Sequence, residues 1–417
     1  MRVALINPNR YHEPPVIPVG IEYIAHYLDR EGHDVRVVDL CFTPDPEGML
    51  VDELDSFRPD VVGFSLRNSD TCLYHDSVFF LDDYARLMAL SRRACGAKVV
   101  IGGTGLLPGP REVAEYLGCD HAVYGPGERA FPRLLAYLEE GVSPPCLIDG
   151  WESSFDREEV PSRGRWLDYA PYMRDRGVTG FVTQTGCTGG CGFCLEAELP
   201  CRTRDPRAVV EELGALVDAG CVDLHLCDSE FNQELEACKE LLRAMIASGL
   251  RIPWSLYMKP LPHDDALMRM LAETGADSVT LSVDSDSLLR GSYSLLDLQS
   301  FMVLAGRRGL KVAVDLLVGF PSENIEQVRD ILDFFRGCRP DTVGVNAWIR
   351  LYKYTRLGQR LRADPPPVGS IEGGDADFLK PVFYNWLGLE ELRGLIGDDP
   401  LFRVEGLERR SNYERLH

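Results

Sequence analysis

No apolar run in this 417-residue chain approaches the roughly 20 residues that a membrane span requires. A charged-then-apolar leader is missing as well, because Met1-Arg2 runs directly into the strand-like VALIN. Basic patches are absent, and the net charge is -21, which argues against a nucleic-acid surface because phosphate binding needs clustered cations. The acidic balance is that of a solvated surface that aids solubility. Nor do the 13 cysteines form the framework of a small secreted fold, since they are scattered through predicted elements. These absences point to a cytoplasmic protein with reduced thiols, no membrane contact and no nucleic-acid partner.

What is present is an ordinary globular composition, 45% apolar and 26% charged, in a chain too long for a single core. Two domains and an appendage fit, with boundaries expected at 1–150, 151–177 as a linker, 178–355 and 356–417. From the start, β-rich apolar runs alternate with helical patterns, the signature of parallel strands joined by crossover helices. Strands are expected at Arg2–Ile6, Val35–Leu40, Val61–Leu66, Lys98–Gly102 and His121–Tyr124. Five such strands make a doubly wound, flavodoxin-like sheet. Ligands of such sheets lie outside the carboxyl ends of the strands at the switch point. That rule selects Asn7-Pro8-Asn9 and Ser65-Leu66-Arg67-Asn68, joined by Gly102-Gly103-Thr104-Gly105 and by Tyr124-Gly125-Pro126-Gly127-Glu128. Two glycine-rich turns on one edge suit a large ligand close to the backbone, although a plain strand-to-helix turn explains either one equally well.

The segment 151–177 has no sustained period and reads as a connector. Beyond it, TGCTGGCGFC places Cys187, Cys191 and Cys194 within eight residues, on a loop that its glycines make easy. Four cysteines would complete an iron-sulfur cubane, and three leave one iron open to a non-protein ligand. A structural zinc site with Cys201 as fourth ligand is the competing reading, though zinc sites usually show two paired knuckles. Expected strands at Gly180–Gln184, Val222–Cys227, Ile252–Met258, Asp277–Val283, Lys311–Val318 and Asp341–Trp348, each with a helix after it, give a partial (β/α)6 barrel. Chemistry in such barrels gathers at the carboxyl ends of the strands. Asp228, Ser229, Ser282 and Asp284 sit there, each with a helix cap or core hydrogen bond as the plainer role. The turn-rich ADPPPVGS stretch then leads to a small C-terminal region that reads as a cap, with a helix over Leu387–Ile396 and a fraying ERRSNYERLH tail.

The ordered set of strings resembles a known family. IGGTG, then YGPGE, after PVGIEYIAHYLDREGHDVRVVDL, is similar to the cobalamin-binding domain that precedes radical S-adenosylmethionine (SAM) enzymes. CDSEFN, LSVDSDS, LLVGFPSEN, IRLYKYTRL and LKPVFY resemble the successive strand-end motifs of the cobalamin-dependent, class B methyltransferase subgroup. The resemblance implies cobalamin, one 4Fe-4S cluster on Cys187, Cys191 and Cys194, and SAM on the open iron. Phe193 would support the adenine, with Asp228, Ser229, Ser282, Asp284 and Gly319 on the SAM side and Tyr352 lining the substrate pocket. Cobalt should lack a histidine ligand, because Asp-x-His-x-x-Gly is absent, and Arg67 should occupy its lower face without ligating it. Where the subgroup often has Pro-Gly-Thr, this chain has Lys353-Tyr354-Thr355, two large side chains near the expected mouth.

The implied function is transfer of a methyl group from SAM, via methylcobalamin, to an unactivated carbon of a small molecule in natural-product biosynthesis. The implied partners are that substrate and an external flavodoxin- or ferredoxin-type electron donor, with the enzyme a monomer. Non-radical methyl transfer, or a rearrangement or ring contraction with the same cofactors, stands as the alternative. A cobalamin-binding sensor with a structural metal is the rival outside enzymology.

Overall fold

The computed structural model describes residues 1–153, 155–364, 366–374 and 377–405. It divides into two compact units: Met1–Thr71, Val78–Phe181 and Glu211–Cys221 form the first, and Cys72–Ser77, Val182–Val210 and Val222 onward the second.

The first unit alternates strand and helix through β1 (Arg2–Asn7), α1 (Val19–Arg30), β2 (Asp34–Asp39), α2 (Pro46–Phe57), β3 (Val61–Ser65), α3 (Leu81–Cys95), β4 (Lys98–Gly102), α4 (Pro110–Leu117), β5 (His121–Tyr124), α5 (Ala130–Glu139) and β6 (Leu147–Asp149). The strands are all parallel, in the order β2-β1-β3-β4-β5-β6. Order reverses between β1 and β3, as the crossover pattern requires. The sheet has one strand more than the five expected, because three-residue β6 is too short for periodicity to reveal. Both faces are covered, so its strands are continuous apolar runs. On one of them Leu5, Val61, Val100 and Val123 pack against Ala25, Leu28, Phe131 and Leu134.

The stretch expected as a plain connector contains α6 (Ala170–Arg174) and leads to β7 (Thr179–Phe181). Its Arg163 is fully buried and bonds Glu22 Oε2 at 2.8 Å and Glu212 Oε1 at 2.6 Å. Two carboxylates compensate the buried charge and satisfy Nε and Nη1, while Nη2 has no hydrogen-bond partner among the described residues. The low-periodicity segment is thereby fixed by polar contacts that no hydrophobic pattern announces.

The second unit carries β8 (Gln184–Cys187), β9 (Leu199–Thr203), the first part of α7 (Pro206–Asp218), β10 (Leu224–Leu226), α8 (Leu235–Ala247), β11 (Trp254–Met258), α9 (Asp265–Thr274), β12 (Ala276–Asp284), α10 (Ser285–Leu289), α11 (Leu295–Arg307), β13 (Lys311–Leu317), α12 (Ile325–Cys338), β14 (Thr342–Asn346), β15 (Ile349–Arg350), α13 (Arg356–Ala363), β16 (Ser370–Gly373), β17 (Val382–Asn385), α14 (Leu389–Ile396) and β18 (Phe402–Val404). Its main sheet is parallel and runs β18-β14-β13-β12-β11-β10. Along β11, β12 and β13, fully buried apolar residues alternate with half-buried ones such as Tyr257, Ser282 and Asp315. One face therefore packs on helices and the other is polar.

Three expectations are corrected here. The single strand Gly180–Gln184 is two strands, β7 and β8, and β8 turns into an antiparallel hairpin with β9. The C-terminal region is more than a cap, because β18 extends the parallel sheet beside β14 and β17 pairs antiparallel with β15 and β16. Its helix begins at Leu389 rather than Leu387. The ERRSNYERLH tail lies outside the described residues.

Candidate functional site

Each unit presents its own station. In the first, the carboxyl ends of β3, β4 and β5 form an open edge on which Arg67, Asn68, Gly103 and Thr104 are exposed and Ser65, Gly102, Tyr124, Gly125, Gly127 and Glu128 half-buried. The Arg67 guanidinium has no hydrogen-bond or ion-pair partner among the described residues. Thr104 Oγ1 donates to the Arg67 carbonyl at 2.6 Å, which ties the β3 and β4 ends together. Asn7 ends β1, the parallel neighbour of β3, and Pro8 follows it, so the two lie at the same edge of the sheet. Both are buried, and the Asn7 amide donates to Asp39 Oδ1 at 2.8 Å while its carbonyl receives the Asn9 N–H.

The glycines of the edge answer a packing need first. A Cβ on Gly103, at φ +99, would lie 2.5 Å from the Leu66 carbonyl, and one on Gly105 would lie 2.9 Å from Leu66 Cβ. On Gly125, at φ +90, it would meet the Trp151 indole at 2.5 Å. Leu66 itself is fully buried beneath this turn. The result is a low, side-chain-poor rim bounded by one free cation and polar backbone, which suits a flat, amide-rich macrocycle such as cobalamin.

In the second unit the hairpin β8–β9 frames the cysteine loop. Gly186, at φ +78, permits the entry, where a Cβ would stand 2.1 Å from the Pro200 carbonyl. Inside the loop three N–H groups point at sulfur: Gly189 N and Gln233 Nε2 reach Cys187 Sγ at 3.3 and 3.2 Å, and Glu196 N reaches Cys194 Sγ at 3.4 Å. A Cβ on Gly189 would sit 3.1 Å from Cys187 Sγ and 4.0 Å from Cys191 Sγ, so glycine keeps the space between the two thiols clear. Burial pushes the thiols of Cys191 and Cys194 up to about 11 and about 12. Thiolates there must wait for a metal to displace the proton. Among the described residues no three His, Cys, Asp or Glu side chains converge on the position of a single ion. Cys201 lies on β9 with its thiol directed at Gln184 Oε1, 3.6 Å away. The donor set fits a four-iron cluster held by three thiolates that accept hydrogen bonds.

Asp228 stands beneath this loop. It is buried and accepts from Thr183 N at 2.8 Å, Gln184 N at 3.2 Å and Thr183 Oγ1. It is therefore a core hydrogen-bonding residue that fixes the approach to the cysteines, and not a helix cap, since α8 begins only at Leu235. Ser229 Oγ donates to the Gly186 carbonyl at 3.5 Å. Asp284 caps α10 through Ser287 N at 2.7 Å, and its other oxygen lies 4.0 Å from Cys191 Sγ. Ser282 bonds the side chain of Glu230. Phe193 packs against Phe320 with ring centroids 5.3 Å apart. Gly319, at φ +88, donates its N–H to Glu323 Oε2 at 2.5 Å. Tyr352 is buried, its ring beneath Arg350 at 4.4 Å and its hydroxyl 3.2 Å from Cys72 Sγ. Of the two large residues after it, Tyr354 is half exposed, so it does not fill the interior.

Two carboxyls belong to this station without having been singled out. Glu230 Oε2 and Glu323 Oε1 are buried with no hydrogen-bond partner, and burial holds the two groups up at about 8 and about 7. Both lie inside the strings CDSEFN and PSEN, but a lone glutamate in a turn carries no spacing signal. Their burial emerges only in three dimensions.

Comparison with known proteins agrees with the two stations. A model of the B12 binding domain matches residues 12–135 and one of the radical SAM superfamily matches residues 181–335. Tryptophan 2-C-methyltransferase of Streptomyces laurentii is 28% identical, the match covering 89% of this chain and 76% of that protein. Cytidylyl-2-hydroxyethylphosphonate methyltransferase of Streptomyces wedmorensis is 24% identical over 80% of this chain and 76% of its own. The structure of the radical SAM methyltransferase TsrM from Kitasatospora setae, with tryptophan substrate and a SAM analogue bound, superposes with a TM-score of 0.89 at 26% identity, covering 99% of this chain and 92% of that one. With an open, side-chain-poor rim on one unit, a three-cysteine loop on the other and both matching models in that order, the chain belongs to the cobalamin-dependent radical SAM enzymes, in the class B methyltransferase family.

Proposed function

We propose that this enzyme methylates an unactivated carbon of a free amino-acid-sized aromatic molecule, with tryptophan the first acceptor to assay. The observation that carries the reading is the Cys187–Cys191–Cys194 loop with three N–H groups directed at its sulfurs. Support for the acceptor class comes from two of the similar proteins, one named as a tryptophan methyltransferase and one holding tryptophan as its substrate, and from the Phe193–Phe320 pair beside Trp386, whose indole N–H bonds the Phe320 carbonyl at 2.9 Å. When bound, cobalamin supplies methyl relay and the cluster supplies electrons to SAM.

This chain's own residues do the positioning. Cys187, Cys191 and Cys194 hold the cluster, and Asp228 orients the strand that delivers them. Glu230 and Glu323, both with an unpartnered oxygen, would be free to bond SAM or the acceptor, Glu230 holding its proton at neutral pH. Arg67, exposed at the β3 end, would face bound cobalamin as a cation with no lone pair to offer the metal. Tyr352 borders the acceptor. An external flavodoxin- or ferredoxin-type donor would supply electrons to a cytoplasmic monomer. No helix among the described residues is long and apolar enough to cross a membrane.

The test is anaerobic reconstitution followed by iron, sulfide and cobalamin analysis, then incubation with tryptophan and SAM. S-adenosylhomocysteine with methylated product supports methyl transfer, and 5'-deoxyadenosine in addition marks the radical route. One zinc and no iron would end the reading.

A further inference from the structure

Among the three thiols of the cluster loop, Cys187 is treated differently. Backbone N–H groups reach Cys187 and Cys194 because a tight loop turns its amides inward, whatever its side chains. Cys187 also receives a side-chain amide donor, Gln233 Nε2 at 3.2 Å, which is tied in turn to a cation, while the Cys191 thiol is hydrogen-bonded by the Ser287 side chain. The orientation of that amide is forced. Gln233 Oε1 receives Thr188 N at 3.1 Å, Thr188 Oγ1 at 2.7 Å and Lys259 Nζ at 3.0 Å. An ammonium and a backbone N–H can only donate, so oxygen must face them and the NH2 must face sulfur.

The relay is held at both ends. Gln233 is 5% exposed, so water does not compete for its amide. The neighbouring Asn232 is wholly buried and brackets Lys259, accepting its N–H at 3.0 Å and donating to its carbonyl at 2.8 Å. A cation thus stands one amide away from a cluster sulfur, at the other end of a polarised O=C–N–H group.

We infer that Lys259 and Gln233 are positioning residues that raise the reduction potential of the cluster by polarising an N–H···S bond to Cys187. The inference rests on Cys187 being a cluster ligand. Hydrogen bonds to sulfur and nearby positive charge both stabilise the more negative, reduced cluster. The polarised amide makes one depend on the other.

The experiment is an EPR-monitored redox titration of the reconstituted full chain, with iron content measured alongside. Gln233→Leu and Lys259→Met should each retain iron and shift the reduction equilibrium about tenfold toward the oxidised cluster, about 59 mV for one electron. Lys259→Arg, which keeps the charge, should stay at the wild-type value. In the double variant the lysine change should add less than half of its single effect, because its path to sulfur has gone. Pulsed EPR of the reduced cluster should lose one exchangeable-proton coupling in Gln233→Leu. Should Gln233→Leu fail to assemble iron, Lys259→Met leaves the surroundings of Cys187 intact and decides by itself. Full iron with unmoved potentials overturns the relay, and so do additive shifts. A wild-type chain that binds no iron overturns the cluster reading and the relay with it.

Discussion

Replacing Asp228 by alanine should loosen the entry to the cysteine loop before it affects any chemistry. The carboxylate accepts Thr183 N at 2.8 Å and Gln184 N at 3.2 Å, together with the Thr183 hydroxyl, in a buried setting that gives these donors no water. Each buried donor left unmet costs roughly 1–3 kcal/mol, and the terms are not additive because the strand can shift to share the strain. A local destabilisation of about 3 kcal/mol is a fair expectation, and every 1.4 kcal/mol is tenfold in an opening equilibrium. Hydrogen exchange in a peptide spanning residues 182–187 should therefore accelerate about a hundredfold in Asp228→Ala. Thr183→Val removes only the hydroxyl and should cost about 1 kcal/mol, or roughly fivefold. Iron incorporation should fall in the first variant and hold in the second. If Asp228→Ala kept its protection within threefold and bound iron in full, the carboxylate would not be what orients the loop.

Alanine at Cys187, Cys191 or Cys194 should abolish iron binding, whereas Cys201→Ala should retain it; metal analysis of the four variants decides, and loss of metal in Cys201→Ala would favour a four-thiol site. Glu230, raised to about 8 by burial, carries a proton in the folded state that the unfolded chain has released above its ordinary value of 4.5. Stability contributed by this group therefore falls as pH climbs from about 4.5 to 8, by at most about 1.4 kcal/mol per unit. Urea midpoints of wild type and Glu230→Gln should diverge in favour of the variant across that range, and parallel curves would contradict the assignment. Arg67→Ala should alter the absorption spectrum of bound cobalamin by admitting a lower ligand, and a spectrum and turnover identical to wild type would remove Arg67 from that face.

Several elements were legible because their physics is local. The parallel sheet of the first unit follows from apolar runs that alternate with amphipathic helices, and β4 and β5 begin and end where the pattern says. The cysteine loop was legible from spacing alone. Elements held by few or polar contacts were not. Strand β6 has three residues, β15 has two, and β18 lies far along the chain from the β14 it pairs with. Arg163 sits in a stretch with no period and is buried by two carboxylates that follow no repeat. The glycines at 103, 105 and 125 read as room for a ligand, yet each is first required by a neighbouring residue of its own unit.

By itself the sequence determined a spacing of three thiols that favours an iron-sulfur site over zinc, and the class of chemistry followed from the ordered set of strand-end motifs that resembles a known family, a pattern of covalent order that no packing can change. Tertiary structure alone decided how the individual side chains are employed. Asp228 became a hydrogen-bond acceptor for the strand before the cysteines rather than a cap, Glu230 and Glu323 became buried acids with an oxygen to spare, and Gln233 became a donor to Cys187 under the charge of Lys259. Each of these depends on which residues meet across the polar face of the sheet and on how little water reaches them, and neither is a property of residues near in sequence.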